Sequence, residues 1–129
     1  MQNSAARLIT RSRKCEHITP IMKQLHWLPV SHRIIYKLVL ITYRARNGIA
    51  PSYIKDFVQP YVPTRNLRSS SRNLLEVPSV KLVSYGQRSF SFVAPMLWNP
   101  FPDYIRGSDS LSKFKTDIKT YLFKQINVD

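Results

Sequence analysis

Four side chains that can ligate a metal or attack an electrophile lie within eighteen residues: Cys15, His17, His26 and His32. Structural zinc sites bring their ligands in pairs two to four residues apart and use more cysteine. Cys15-x-His17 is too tight for such a pair, and Pro29 separates His26 from His32. A Cys–His nucleophile pair needs a third group to orient the imidazole, and the sequence offers none. The acids Glu16, Asp56, Glu76, Asp103, Asp109, Asp117 and Asp129 are scattered. A two-metal polymerase or nuclease gathers its carboxylates around the cations. Glycine occurs only at positions 48, 86 and 107, so there is no glycine-rich phosphate loop. No cofactor site follows from any of these. The residues instead favour phosphate binding. Twenty Lys and Arg against seven Asp and Glu give a net charge of +13. A surface that basic attracts polyanions, nucleic acid before anionic membrane.

The excess is concentrated early. Residues 1–50 carry nine basic groups and one acid, residues 51–100 six and two, and residues 101–129 five and four. Arg11, Arg13 and Lys14 form a short run in an expected loop. Arg33, Lys37 and Arg44 fall within about 40° of one another at 100° per residue, a basic stripe on one helix edge. Arg65, Arg68 and Arg72 interleave with Ser69-Ser70-Ser71, a mix of donors suited to phosphate. Solvated loops use the same residue types. Trp27 and Trp98 could stack on bases, although aromatics at helical spacing more commonly fill a core.

Such side chains need a frame. The chain has 129 residues, enough for one domain with one modest core, and its apolar fraction of 43% is in the globular range. Its longest apolar run, Leu38–Ile41, is far short of a membrane span. The first ten residues lack the apolar stretch of a secretory signal. A single cysteine excludes an internal disulfide and fits a reducing compartment.

The expected architecture is mainly α: a single domain over 1–129, a small bundle of about five helices, with a short β-hairpin near 74–83. Residues 1–10 read as the end of a helix that begins elsewhere. Residues 19–58 form the helical core, 64–86 a basic loop and the hairpin, and 87–127 the C-terminal helices. Thr19-Pro20 reads as a helix start, with Thr19 as cap and the helix ending near Trp27. The clearest helix follows Pro29, capped by Ser31 and stopped by Gly48 and Pro51. Its apolar residues, Ile34, Ile35, Leu38, Val39, Ile41 and Tyr43, are spread over most of its circumference, which predicts a central element with one basic edge. Pro51 opens a third segment with Tyr53, Ile54, Phe57 and Val58 on one face. Phe90, Val93, Ala94, Leu97 and Trp98 repeat at helical spacing, and Pro95 must kink that helix or start another. Leu111, Phe114, Ile118, Tyr121 and Leu122 form the stripe of a last helix, with Ser110 as its cap.

Leu25-His26-Trp27-Leu28-Pro29-Val30, followed by Arg33-Ile34-x-Tyr36-Lys37 and Thr42-Tyr43, resembles the C-terminal, post-thumb region of the reverse transcriptase polyprotein of LINE-type (non-LTR) retrotransposons of the jockey and chicken-repeat kind. The likeness continues through Asn47-Gly48-x-Ala50-Pro51-x-Tyr53, Pro60-Tyr61-x-Pro63-x-Arg65-x-Leu67-Arg68-Ser69, Tyr85-Gly86-x-Arg88-Ser89-Phe90-Ser91, Ala94-Pro95-x-Leu97-Trp98-Asn99 and Phe114-Lys115-x-x-Ile118-Lys119-Thr120. It is the ordered series over roughly residues 4–124 that is specific. The resemblance implies a piece lying downstream of the family's endonuclease and polymerase palm. No Tyr-or-Phe-Ala-Asp-Asp occurs, so no catalytic residue carries over and the chain is not expected to be an enzyme. Residues 1–10 would be the tail of the thumb, with Met1 an internal start. The implied role is to grip RNA or DNA backbone, without sequence choice, through Arg7, Arg11, Arg13, Lys14, Arg33, Lys37, Arg44, Arg46, Arg65, Arg68 and Arg72. Nuclear action follows from the family, with neither a membrane nor a small-molecule substrate. A structural module that docks on the upstream polymerase domains is the alternative, and an inert transposon-derived fragment is a third.

Overall fold

The segment that follows Pro29 becomes the helix around which the main core is built. In a computed structural model describing residues 1–68 and 72–128, the helices are α1 (Gln2–Thr10), α2 (Ile18–Gln24), α3 (Val30–Arg46), α4 (Ser52–Lys55), α5 (Val83–Gly86), α6 (Phe90–Trp98), α7 (Asp103–Arg106) and α8 (Leu111–Val128). The serine triplet Ser69-Ser70-Ser71 lies outside the described residues. The fold is a small, mainly helical bundle. Among the described residues its β structure is one isolated antiparallel bridge, Pro60 to Leu75.

Pro29 occupies the N-cap of α3, and its carbonyl accepts the Arg33 N–H at 2.9 Å. Ser31 is therefore already helical and does not cap; its hydroxyl meets His32 Nδ1 at 3.2 Å. At the far end Gly48 takes φ 73°, and Ile49 N–H reaches back to the Arg44 carbonyl at 2.9 Å. This is a Schellman closure, in which the residue after the helix must be left-handed and glycine does so without a Cβ penalty. The expected all-round burial of α3 is not found. Val39, Thr42, Tyr43 and Ala45 are buried, whereas Ile34 is 56% and Ile41 37% exposed. The helices packed on α3, α4, α6 and α8 among them, leave these two side chains in solvent.

The core lies where α3, α6 and α8 meet, among Val39, Tyr43, Ala94, Trp98, Phe114, Ile118 and Leu122. Tyr43 stacks on Phe114, and Phe114 faces Trp98 with ring centroids 5.8 Å apart. Of the stripe expected of the last helix, α8 buries Phe114, Ile118 and Leu122, with Leu111 and Tyr121 partly buried against the same core. Pro95 neither divides nor ends α6; it sits buried inside one helix. It removes the N–H that would have bonded the Ser91 carbonyl. The turn α7 was not legible in advance. Its C-terminal Arg106 is buried, and the carbonyl of the following Ser108 accepts the Tyr43 hydroxyl at 2.8 Å.

The hairpin expected at 74–83 does not form. Residues 74–76 pair instead with 59–61, through Tyr61 N–H to the Leu74 carbonyl at 3.0 Å and Glu76 N–H to the Gln59 carbonyl at 2.9 Å. Pro78-Ser79 lacks the left-handed residues of a tight hairpin turn, and the run beyond it closes into α5. Leu75 is buried with its remaining backbone groups met by one side chain. Its N–H donates to Asn99 Oδ1 at 2.9 Å, and its carbonyl accepts from Asn99 Nδ2 at 3.0 Å. Asn99 thus stands in for a neighbouring strand. The segment after Pro51 is a single turn, α4, with Val58 buried beyond it and Tyr53 and Phe57 exposed.

The helices α1 and α2 bury a smaller cluster of Ala6, Ile21 and Met22, flanked by Ile18, Leu25 and Trp27. Thr19 lies in the first turn of α2, with His17 at the N-cap, so the helix starts two residues before the expected position. It also ends earlier, because His26 turns left-handed at φ 52°. Trp27 N–H then bonds the Met22 carbonyl at 2.9 Å and His26 N–H the Lys23 carbonyl at 3.0 Å. That is a second Schellman closure, and it points the chain into α3.

Candidate nucleic-acid interface

Ten of the eleven cations expected to contact nucleic acid fall into three groups, and Arg44 stands apart. Arg7 and Arg46 are held by the protein itself. The Arg7 guanidinium donates to the carbonyls of Arg13 at 2.7 Å and Glu16 at 3.0 Å, and to that of Lys14, stapling the loop between α1 and α2. Arg46 donates through Nη2 to Asn73 Oδ1 at 2.5 Å and through Nη1 to the Arg106 carbonyl at 3.3 Å, and its guanidinium lies 5.9 Å from the Trp98 ring centre. Burial, the main cause, lowers its pKa.

Sequence reasoning missed the partner of this knot. Arg106 is 5% exposed; it donates to the Asn99 carbonyl at 2.5 Å and pairs with Asp103. Burial lowers its pKa, and the charges of Arg72 and Arg46 lower it further. Trp98, whose Nε1–H donates to the Asn73 carbonyl at 2.8 Å, is wholly buried. Nothing at Trp98 is open to a base.

The second group is exposed but separate: Arg11, Arg13 and Lys14 in the loop after α1, and Arg65, Arg68 and Arg72 in the segment before Asn73. The third group converges. Arg33 and Lys37 project from α3 into a depression of about 710 Å³ whose walls include His26, Trp27, Leu28 and Tyr36, and Lys119 of α8 closes its other side. A second depression of about 480 Å³ shares His26, Tyr36 and Lys119 and adds Lys115 and Phe123. The two form one groove between α3 and α8. Arg44, on the expected stripe, is half-buried and does not line it.

The groove follows from how the two helices run. Tyr43 meets Phe114 at one end, and Tyr36 shares a depression with Lys119 and Phe123 at the other. As numbers fall along α3 they rise along α8, so the helices are antiparallel. Lys115 and Lys119 are one helical turn apart and share a face, which is the sequence signal that could have found them. That Lys119 meets Lys37 in one depression is a tertiary fact. His26 meets the edge of Phe123 at 6.1 Å and 84°. The Schellman turn sets Trp27 in the wall, half-buried. Gln2 Nε2 donates to the Leu28 carbonyl at 2.9 Å and fixes α1 along the rim.

Arg33, Lys37 and Lys119 line the larger depression together with His26, Trp27 and Tyr36, Lys115 lines the smaller, and no carboxylate appears among the residues lining either. Such a site attracts anions and presents ring faces. It holds no pair of groups arranged for acid–base work. Among the described residues no three His, Cys, Asp or Glu side chains come together in a way that could hold a metal. No family model, no curated protein and no solved structure matches the chain.

Proposed function

We propose that the chain is a non-catalytic nucleic-acid-gripping module, of the kind that follows the thumb in LINE-type retrotransposon reverse transcriptases. In this reading it holds RNA or DNA backbone while chemistry takes place on another part of the machine. The observation that carries the binding role is the groove between α3 and α8, with Arg33, Lys37, Lys115 and Lys119 about it and no acid in its lining. The net charge of +13 supplies the long-range attraction. The ordered motifs from Leu25 to Thr120 support the family placement, and no polymerase or endonuclease activity is assigned. Titrating the purified chain with RNA and with duplex DNA at several salt concentrations tests the role. A fall of log affinity with log salt of several units is expected. A folded chain that binds neither at low salt contradicts it.

A second reading, docking on neighbouring polymerase domains, is favoured by apolar side chains left in solvent. Leu8 and Ile9 of α1 are 81% and 59% exposed, and Val30 and Ile34 of α3 are 58% and 56%. It predicts a chain that self-associates through these faces and shows no salt-dependent affinity for nucleic acid.

A further inference from the structure

We infer that the groove takes single-stranded nucleic acid in preference to duplex, with at least one base turned onto the ring of Trp27 while Arg33, Lys37 and Lys119 hold the flanking phosphates. The inference rests on the nucleic-acid reading above and deepens it.

The shape of the site decides between the two ligands. A duplex presents phosphates on a convex cylinder and keeps its bases stacked inside, so the surface that grips it must offer cations without needing rings. Here the cations line a concavity together with aromatic rings: Trp27, Tyr36 and His26 in the larger depression, with Phe123 beside His26 in the smaller. A duplex laid across the rim would touch the cations and leave these rings unused. A single strand can enter, place phosphates on the cations and rotate a base onto a ring. Stacking of this kind tolerates any base, because every base has a π face. The rings are held ready for it. Trp27 is half-buried, packed against the small cluster of Ala6, Ile21 and Met22 and set by the left-handed turn at His26. Tyr36 is half-buried, with one side against the core. Neither needs to be extracted from packing to meet a base. The volume of about 710 Å³ lies within the range of ordinary ligand sites, and the smaller depression lengthens it along α8.

Intrinsic fluorescence reads this directly, because Trp98 is wholly buried and only Trp27 of the two tryptophans borders the groove. The full chain is titrated with unstructured oligo(U) and with an RNA duplex of the same length at one salt concentration. The expected result is about tenfold or more tighter binding of the single strand, with Trp27 emission quenched. Trp27→Leu should lose about tenfold for oligo(U) and little for the duplex. Lys119→Gln, a change at an exposed position, should weaken both without unfolding the chain. Equal or tighter binding of the duplex, or oligo(U) binding that leaves the emission unchanged, overturns the single-strand inference while the nucleic-acid reading stands. Binding of neither ligand at low salt overturns both.

Discussion

The rings of Tyr43 and Phe114 stack with centroids 4.0 Å apart and planes 22° from parallel. This contact fixes the antiparallel seam of α3 against α8, and that seam brings Lys119 to the depression that Arg33 and Lys37 line. The α3–α8 side of the proposed binding surface is therefore held by the core, and Trp27 is set by the turn that precedes α3.

Truncating Phe114 should be severe. Its side chain is fully buried between Tyr43 and Trp98. Phe114→Ala removes that area and leaves a cavity, at a cost of about 3–5 kcal/mol, a large part of the roughly 5–15 kcal/mol typical of a domain. Urea unfolding should show the loss, together with weaker nucleic-acid binding as the seam loosens.

Tyr43 also gives the fold an alkaline limit. Burial, the largest cause, raises its pKa, Asp109 adds to the rise, and Arg46 opposes it. Its hydroxyl donates to the Ser108 carbonyl in the interior. A folded-state pKa above the unfolded value of about 10 gives stability that is full below that pH and lost as pH climbs through the folded value. Tyr43→Phe should cost about 1 kcal/mol at neutral pH through the lost bond. It should also flatten the decline in stability above roughly pH 10, measured by urea midpoints from neutral to alkaline pH.

Arg46 should behave as a structural residue. Arg46→Ala removes the donors to Asn73 and to the Arg106 carbonyl, as well as the contact over Trp98. The expected loss is about 1–3 kcal/mol of stability, with the salt dependence of nucleic-acid binding unchanged. Thermal unfolding and binding measured on the same preparation separate the two effects.

The contrast between Arg46 and Lys119 shows what was legible in the sequence and what was not. The stripe of α8 and the stop at Gly48 could be read because they depend on near neighbours: a period of 3.6 and a residue free to turn left-handed. Whether a cation faces solvent depends on which carbonyls fold arrives with. Arg7 and Arg46 looked like contacts for phosphate and are held by carbonyls up to sixty positions away. Lys115 and Lys119 lie in a last segment that is nearly neutral, and they gain their setting only beside α3. Ile34 and Ile41 looked like core because α3 is rich in apolar residues, but period alone does not say how many neighbours a helix will have. The clamp of Asn99 on Leu75 joins residues 24 positions apart, beyond any turn rule, and it displaced the expected hairpin.

Gly48 offers a test of backbone strain with packing held constant. A Cβ there would meet nothing within 4 Å, yet φ is +73°. Gly48→Ala should therefore cost about 1 kcal/mol through the left-handed conformation alone, read as a shift in the urea midpoint with an unchanged slope.

The most direct test of the central claim is the slope of log affinity against log salt for two sets of charge-removing variants. One set changes Lys37 and Lys119 to Gln in the groove, and the other changes Arg65, Arg68 and Arg72 to Gln in the exposed segment. If the groove grips phosphate, the slope falls by about 0.7–0.9 for each groove cation removed and changes little for the exposed set. A groove variant that keeps the full slope while the exposed variant loses it would contradict the assignment and move the interface to the segment before Asn73.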